Sequence, residues 1–124
     1  MGLQNFYEVT SKTEVLGNGL KNIEIKVNKN HQIFEGHFPN NPVMPGVCMM
    51  HIVKEITSTY VEQELFMEKC SNVKFISLIN PEIDDKLRLE IEIHKEGTQV
   101  KIKSSTFFLN KQALKMSVIY KTLN

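Results

Sequence analysis

Apolar and polar residues alternate with a period of two in residues 23–27 and 86–94, and this pattern predicts β-strands that bury one face. Residues 100–109 and 112–120 are predicted as the two strands that follow. A fifth run, residues 73–79, is rich in β-branched and aromatic residues and is closed by Asn80 and Pro81. Short turn sequences separate the last three strands, which predicts an antiparallel meander.

One long helix is predicted from residue 47 to about residue 64, because apolar residues recur there at spacings of three and four. Its apolar stripe consists of Met49, Ile52, Val53, Ile56 and Tyr60. Residues 65–70 are expected to extend or fray the end of this helix. Near the start of the chain, residues 6–9 fit either a short strand or a helical turn, and residues 17–19 fit a turn.

These elements predict an α+β domain in which a curved antiparallel sheet wraps around one helix. At 124 residues, of which 41% are hydrophobic, the chain is long enough to bury a core, so we expect a single domain over residues 1–124. An open sheet of this size leaves edge strands that invite pairing with a second copy. A homodimer is therefore expected.

Charge and composition argue against several function classes. The formal net charge is +1 with both signs interspersed, so nucleic acid is not expected as a partner. No window approaches the roughly 18 apolar residues of a spanning helix and the first residues do not resemble a leader, so no membrane association and a cytoplasmic location are expected. His31 and His94 lie beside turns and are expected to be solvated.

Metal and redox chemistry have little support in the sequence. Cys48 and Cys70 are too few and too far apart for a zinc cluster or a disulfide framework, so both are expected to stay reduced, with Cys48 filling the core. No His, Asp and Glu residues have metal-ligand spacing, and no glycine-rich phosphate loop occurs. The sequence therefore predicts neither a metal site nor a cofactor.

Three of the four prolines lie just ahead of the predicted helix, at positions 39, 42 and 45. Proline fixes φ and removes a backbone donor, so this segment should be a stiff, extended loop. Pro45 and Gly46 stand where a helix can begin. The loop therefore holds one side chain with proton-transfer chemistry, His37, in a defined place.

The order His37-Phe38-Pro39-x-x-Pro42-x-x-Pro45-Gly46-Val47, running into a helix, resembles the active-site signature of the beta-hydroxyacyl-acyl carrier protein dehydratases of the hotdog-fold superfamily. Residues 74–89 also resemble the segment that follows the helix in that family. The resemblance implies a hotdog fold and a homodimer or higher oligomer. It also implies a substrate carried as a thioester on acyl carrier protein or coenzyme A, with no cofactor.

The same resemblance implies roles for individual residues. His37 would be the base that takes a proton from C2 of a hydroxyacyl thioester, and the backbone N–H of Gly46 would polarise the thioester carbonyl at the helix start. The residues expected to contact substrate are Phe38, Pro45, Val47, Met50 and Glu55, and Met49 is a further candidate beside the acyl chain.

The chain departs from the family pattern at the second catalytic position, fourteen residues after the signature histidine, where the family has Glu or Asp and this chain has His51. Three interpretations are open. His51 in its protonated form donates the proton to the leaving hydroxyl, with Glu55 holding it from one turn away. Alternatively Glu55 replaces the missing carboxylate, although it lies about 6 Å further along the helix axis. In the third interpretation the pocket binds acyl thioesters without dehydrating them.

The leading functional hypothesis is dehydration of (3R)-hydroxyacyl thioesters to trans-2-enoyl thioesters in fatty acid or polyene-type lipid biosynthesis. The alternatives are a catalytically impaired partner subunit that binds acyl thioesters, and a hotdog thioesterase. A thioesterase normally needs a carboxylate to activate water, and position 51 lacks one. The candidates for contact with an acidic carrier protein are Lys101, Lys103 and Lys115.

Overall fold

The computed structural model describes residues 4–14, 19–34 and 43–123, and these residues form six β-strands, one α-helix and one short 3-10 helix. The strands are β1 (Tyr7–Glu14), β2 (Leu20–Val27), β3 (Phe66–Phe75), β4 (Lys86–Glu96), β5 (Gln99–Phe108) and β6 (Lys111–Lys121). The helix α1 spans Gly46–Val61, and the 3-10 helix spans Gln32–Phe34.

The six strands form one antiparallel sheet in the order β1-β2-β4-β5-β6-β3. Tight turns join β4 to β5 and β5 to β6, as the alternating pattern predicts, and Gly97 supplies a positive φ of 61° in the first turn. The long connection from β2 through α1 to β3 carries the chain across to the far edge of the sheet. The helix therefore belongs to the crossover that joins β2 to the edge strand β3.

One face of the sheet packs against α1 to form the core. The predicted helical stripe is confirmed for four of its members, which are at most 4% exposed: Met49, Ile52, Val53 and Ile56. Tyr60, the fifth member, is half-buried at the margin of this core. From Leu87 to Ile91 in β4 and from Leu114 to Tyr120 in β6 every second residue is buried, because a strand turns successive side chains to opposite faces.

The helix ends earlier than its periodicity predicts. Glu62 adopts a left-handed conformation with φ 56° and ψ 37°, and its N–H donates to the carbonyl of Ser58. The expectation that residues 65–70 extend or fray the helix is wrong, because β3 begins at Phe66. The predicted strand over residues 73–79 is also displaced, since β3 ends at Phe75 and the following residues are irregular.

Within the described part of the chain, β3 is an edge strand whose one neighbour is β6. Its register is broken twice, between Met67 and Lys69 and between Cys70 and Asn72. Phe75 lies opposite Leu114, and cross-strand partners point to the same face of a sheet, so Phe75 is on the helix side. Phe75 is nevertheless 59% exposed while Leu114 is 2% exposed, so the helix side of the sheet is covered at β6 and largely open at β3.

The residues before β1 and after β2 are tied together around His31. Its Nε2 lies 3.1 Å from the carbonyl oxygen of Gln4, its Nδ1 accepts from the N–H of Ile33 at 3.1 Å, and its ring meets that of Phe6 edge-on at 5.2 Å. The expectation that His31 is a solvated turn residue is therefore wrong. His94 is exposed, as predicted, and its Nε2 lies 3.2 Å from Oε1 of Glu92.

Candidate functional site

A cavity of about 660 Å³ lies between the start of α1, the end of β3 and the segment after it, and β6. Its lining carries no charged side chain, and the residues that close it are Val43, Met44, Pro45, Gly46, Val47, Met49, Met50, Phe75, Ile76, Ser77, Leu78, Ile79, Ala113 and Leu114. Backbone hydrogen bonds hold this wall, from Met44 N–H to Ile79 O at 2.9 Å and from Ile76 N–H to Ala113 O at 2.8 Å. The volume is in the usual range for a small-molecule site, and the lining suits an apolar ligand.

Gly46 begins α1 at the wall of this cavity. The preceding Pro45 is extended, with φ −63° and ψ 140°, and provides no side-chain cap; its carbonyl accepts from the N–H groups of Cys48 and Met49. The N–H groups of the first helical turn have no acceptor further back within the helix, and the helix dipole gives this end a partial positive charge. The backbone N–H groups of Gly46 and Val47 are therefore donors of the kind that polarise a carbonyl.

His51 lies one and a half turns further along α1 and opens onto a different groove, of about 430 Å³. This groove is polar, and it is lined by His51, Lys54, Glu55, Ser58, Thr59, Glu64 and Leu65. No residue of the apolar cavity belongs to it. Five residues of α-helix turn the side-chain direction by about 140°, so positions 46 and 51 face different sides of the helix.

Glu55 joins His51 to the first strand. Its Oε2 lies 3.5 Å from Nε2 of His51, and its Oε1 accepts a hydrogen bond of 3.0 Å from the hydroxyl of Tyr7. Burial, the charge of Glu55 and this hydrogen bond together raise the pKa of Tyr7. The phenol therefore remains a hydrogen-bond donor throughout the neutral and mildly alkaline range.

The structure brings together most of the predicted site residues, in two groups. Pro45, Gly46, Val47 and Met50 line the apolar cavity, and Met49 does as well. His51 and Glu55 lie together in the polar groove. His37 and Phe38 lie outside the described residues, so their predicted roles stay predictions.

The remaining sequence expectations concern cysteines, metals and membranes. Cys48 is buried in the core, as predicted, and burial raises the pKa of its thiol, while Cys70 is exposed on β3. In the three described ranges, no three His, Cys, Asp or Glu side chains are grouped so as to hold a metal ion. Across the same residues, no helix has the length and apolar character needed to cross a membrane.

A protein-family model described as ApeI-like, ApeI dehydratase, matches residues 14–116 of the chain. The chain belongs to the ApeI-like family. The match includes the proline-rich signature, α1 and strands β2 to β5. The resemblance to the hydroxyacyl-acyl carrier protein dehydratases is thus confirmed at the level of the family.

Sequence relatives of this ApeI-like chain include curated dehydratases. It is 33% identical over 84 residues to the 3-hydroxyacyl-acyl-carrier-protein dehydratase FabZ of Thermomicrobium roseum, a match that covers 62% of this chain and 52% of that protein. It is 32% identical over 96 residues to the FabZ of Rickettsia akari, covering 71% of this chain and 62% of that protein. The matched region therefore spans between about half and three fifths of the length of these relatives.

Solved structures show the fold. The dehydratase heterocomplex ApeI:P from Xenorhabdus doucetiae superposes with a TM-score of 0.73 at 18% identity, covering 92% of this chain and 96% of that one. A hypothetical thioesterase with coenzyme A from Streptococcus pneumoniae TIGR4 gives a TM-score of 0.68 at 14% identity, covering 99% and 91%. The ApeI-like chain has the predicted α+β hotdog fold, an antiparallel sheet wrapped around one long helix.

Two residues of the site were missed by sequence reasoning. Phe75 lines the apolar cavity, and its ring lies against Gly46, although the sequence marks it only as an apolar strand residue. Tyr7 lies 48 residues before Glu55 and outside the segment that matches the family model. No sequence signal links Tyr7 to the helix, since only the pairing of β1 with β2 brings it there.

Proposed function

We propose that this chain dehydrates (3R)-hydroxyacyl thioesters to trans-2-enoyl thioesters, in fatty acid or polyene-type lipid biosynthesis. The observation that carries the proposal is the apolar cavity of about 660 Å³. Its wall includes Pro45, Gly46 and Val47, the last three residues of the dehydratase signature. An acyl chain fits the uncharged lining, and a thioester carbonyl at the helix start would meet the backbone N–H groups of Gly46 and Val47.

The chemistry divides between two imidazoles. His37 takes the proton from C2, and the electron pair moves into the thioester, whose oxygen is stabilised at the start of α1. The electron pair then returns to form the C2–C3 double bond, and the C3–O bond breaks as His51, protonated, gives its proton to the leaving hydroxyl, so that water departs. His37 ends with one proton more and His51 with one fewer, so exchange with solvent restores both.

In the proposed site the two imidazoles come from two chains. Within one chain, His51 opens onto the polar groove, on a different side of α1 from the Gly46 cavity. A second copy that presents its own His51 to the first chain's cavity would complete the acid–base pair. The proposed active unit is therefore a homodimer with two composite sites.

Strand β3 is the surface through which such a dimer would form. No strand among the described residues pairs with its outer edge, and its apolar side chains are open, with Met67 45% exposed and Phe75 59% exposed. Pairing with a second β3 would satisfy the free backbone groups and cover these side chains. Phe75 touches Gly46, so this interface would also lie at the mouth of the cavity.

The proposed substrate is carried on acyl carrier protein. Lys101, Lys103 and Lys115 are exposed on the outer face of β5 and β6, where an acidic protein could be held. Lys115 lies opposite Lys74 of β3, so positive charge continues toward the proposed dimer edge. Coenzyme A thioesters are the alternative carrier, and parallel assays with the two carriers separate them.

The test is a product assay on the purified chain with a (3R)-hydroxyacyl-acyl carrier protein, in which enoyl thioester and free acid are measured together. We expect enoyl product, and we expect losses of at least about 100-fold in kcat/KM for His37→Ala and for His51→Ala, the range usual for acid–base residues. Enoyl formation that persists in His37→Ala would contradict the assignment of the base. Free acid as the main product would instead identify a thioesterase.

A second candidate function is that of a partner subunit that binds acyl thioesters while another chain performs the chemistry. Two observations favour it: position 51 carries histidine rather than a carboxylate, and the ApeI:P structure is a heterocomplex. The variant His51→Glu distinguishes the two functions. Activity that appears only in His51→Glu would identify a disabled dehydratase, whereas wild-type activity in the chain alone supports the His37 and His51 pair.

A further inference from the structure

The Glu55 carboxylate is shared between two groups from different parts of the fold. One oxygen accepts from the hydroxyl of Tyr7 on β1 at 3.0 Å, and the other lies 3.5 Å from Nε2 of His51 on α1. A side chain that is 47% exposed would otherwise exchange among rotamers in solvent. The hydrogen bond from Tyr7 therefore selects the rotamer that keeps the second oxygen beside His51.

We propose that Tyr7 is a positioning residue for His51 and acts through Glu55. The inference deepens the proposed function, on which the role of His51 as an acid rests. Tyr7 holds the carboxylate, the carboxylate holds the imidazole by Nε2, and Nδ1 is left as the ring nitrogen that faces a substrate. In its charged form the imidazole keeps a proton on Nδ1, which is the proton that the leaving hydroxyl needs.

The other groups around this chain of contacts do not replace Tyr7. The hydroxyl of Thr59 donates to the backbone carbonyl of Glu55, and the hydroxyl of Ser58 donates to that of Gln63, so neither is directed at the carboxylate. The further charged side chains that line the groove are Lys54 and Glu64, one of each sign. Tyr7 on β1 is the residue whose hydroxyl donates to the Glu55 carboxylate.

The test follows the His51 ring by NMR in full-length protein with labelled histidine, so it needs no enzymatic activity. Tyr7→Phe keeps the aromatic ring and removes only the hydroxyl. We expect the side-chain order parameter of His51 to fall by about 0.2, from the range of a rigid group toward that of a flexible one. Glu55→Gln should lower it at least as far, because a neutral amide holds the ring less strongly than a carboxylate does.

The matched control is Tyr60→Phe. Tyr60 also lies on the margin of the core, and its hydroxyl has no hydrogen-bond partner among the described residues. Among the described residues no hydrogen bond or ion pair joins Tyr60 to Glu55 or His51, so its loss should leave the order parameter of His51 unchanged. A general loosening of the fold would move both tyrosine variants alike.

The double variant Tyr7→Phe/Glu55→Gln decides whether Tyr7 acts through Glu55. We expect the order parameter of His51 in the double variant to equal that in Glu55→Gln alone, since the carboxylate that Tyr7 positions is gone. An unchanged or raised order parameter in Tyr7→Phe, or a Tyr7→Phe effect that survives in the Glu55→Gln background, would overturn the proposal. If the coupling is observed in a chain without dehydratase activity, the proposed function fails and the positioning role of Tyr7 stands.

Discussion

Phe75 and Gly46 approach so closely that no other residue fits at position 46 without moving the ring. A Cβ added to Gly46 would lie 2.6 Å from both Cε1 and Cζ of Phe75. The backbone conformation does not require glycine there, because position 46 is ordinary α-helix. The glycine is needed for the close approach of the ring that lies beside the cavity.

Gly46→Ala should therefore lower activity through sterics while keeping the backbone N–H. The Phe75 ring is 59% exposed and can swing away, so we expect a change of less than about 1 kcal/mol in the free energy of unfolding. We expect kcat/KM to fall about tenfold, since the displaced ring changes the cavity mouth.

The double variant Gly46→Ala/Phe75→Ala provides the control for this effect. Removing the ring removes the clash. In the Phe75→Ala background, Gly46→Ala should therefore cost much less activity than it does in the wild type. Additive losses in the steady-state assay would show that Gly46 acts independently of Phe75.

A charge on the helix side of β3 should separate the proposed dimer. Met67→Glu places a carboxylate among apolar side chains that a second copy would cover, and we expect sedimentation to shift toward the monomer. The matched control is Val9→Glu on β1, the opposite edge strand, where Val9 is 39% exposed compared with 45% for Met67. If Val9→Glu dissociates the protein and Met67→Glu does not, the interface lies on β1 instead.

Strands with one face against α1 were predictable from the sequence. In β2, β4, β5 and β6 the alternation of apolar and polar residues reports a real difference between a buried and a solvated face. Strand β3 has no such difference within one chain, and its two register breaks disturb the period further. The sequence pattern therefore places its first half in an extension of the helix, which Glu62 ends without the glycine that usually signals a helix end.

The site was predictable where its residues are close in sequence. The signature places Pro45, Gly46 and Val47 at the helix start because the proline spacing fixes the loop and the helix follows at once. The contacts of Tyr7 with Glu55 and of Phe75 with Gly46 depend on how the sheet wraps around α1. Local pattern contains no information on such long-range contacts.

Tyr120 should make the protein sensitive to alkali. It is fully buried, and burial, with a smaller contribution from the charge of Cys70, raises its pKa above the ordinary value of 10.0. Between about pH 10 and the higher folded-state value, the unfolded chain loses this proton and the folded chain keeps it, so stability is complete below pH 10 and falls above it. The slope for one such group is at most about 1.4 kcal/mol per pH unit.

Urea unfolding of the wild type and Tyr120→Phe across this pH range checks the prediction. The phenylalanine variant should lose less stability above pH 10. Near neutrality it should differ from the wild type by no more than about 1 kcal/mol, because the hydroxyl has no hydrogen-bond partner among the described residues. Equal slopes for the two proteins would contradict the assignment.

The composite site is tested most directly by mixing His37→Ala with His51→Ala. If His37 of one chain works with His51 of the other, half of the randomly mixed dimers carry one intact site, and about a quarter of the wild-type dehydratase activity should return. If both histidines acted within one chain, no dimer would contain an intact site. The account predicts recovery of enoyl product on mixing, and a mixture as inactive as either variant alone would contradict it.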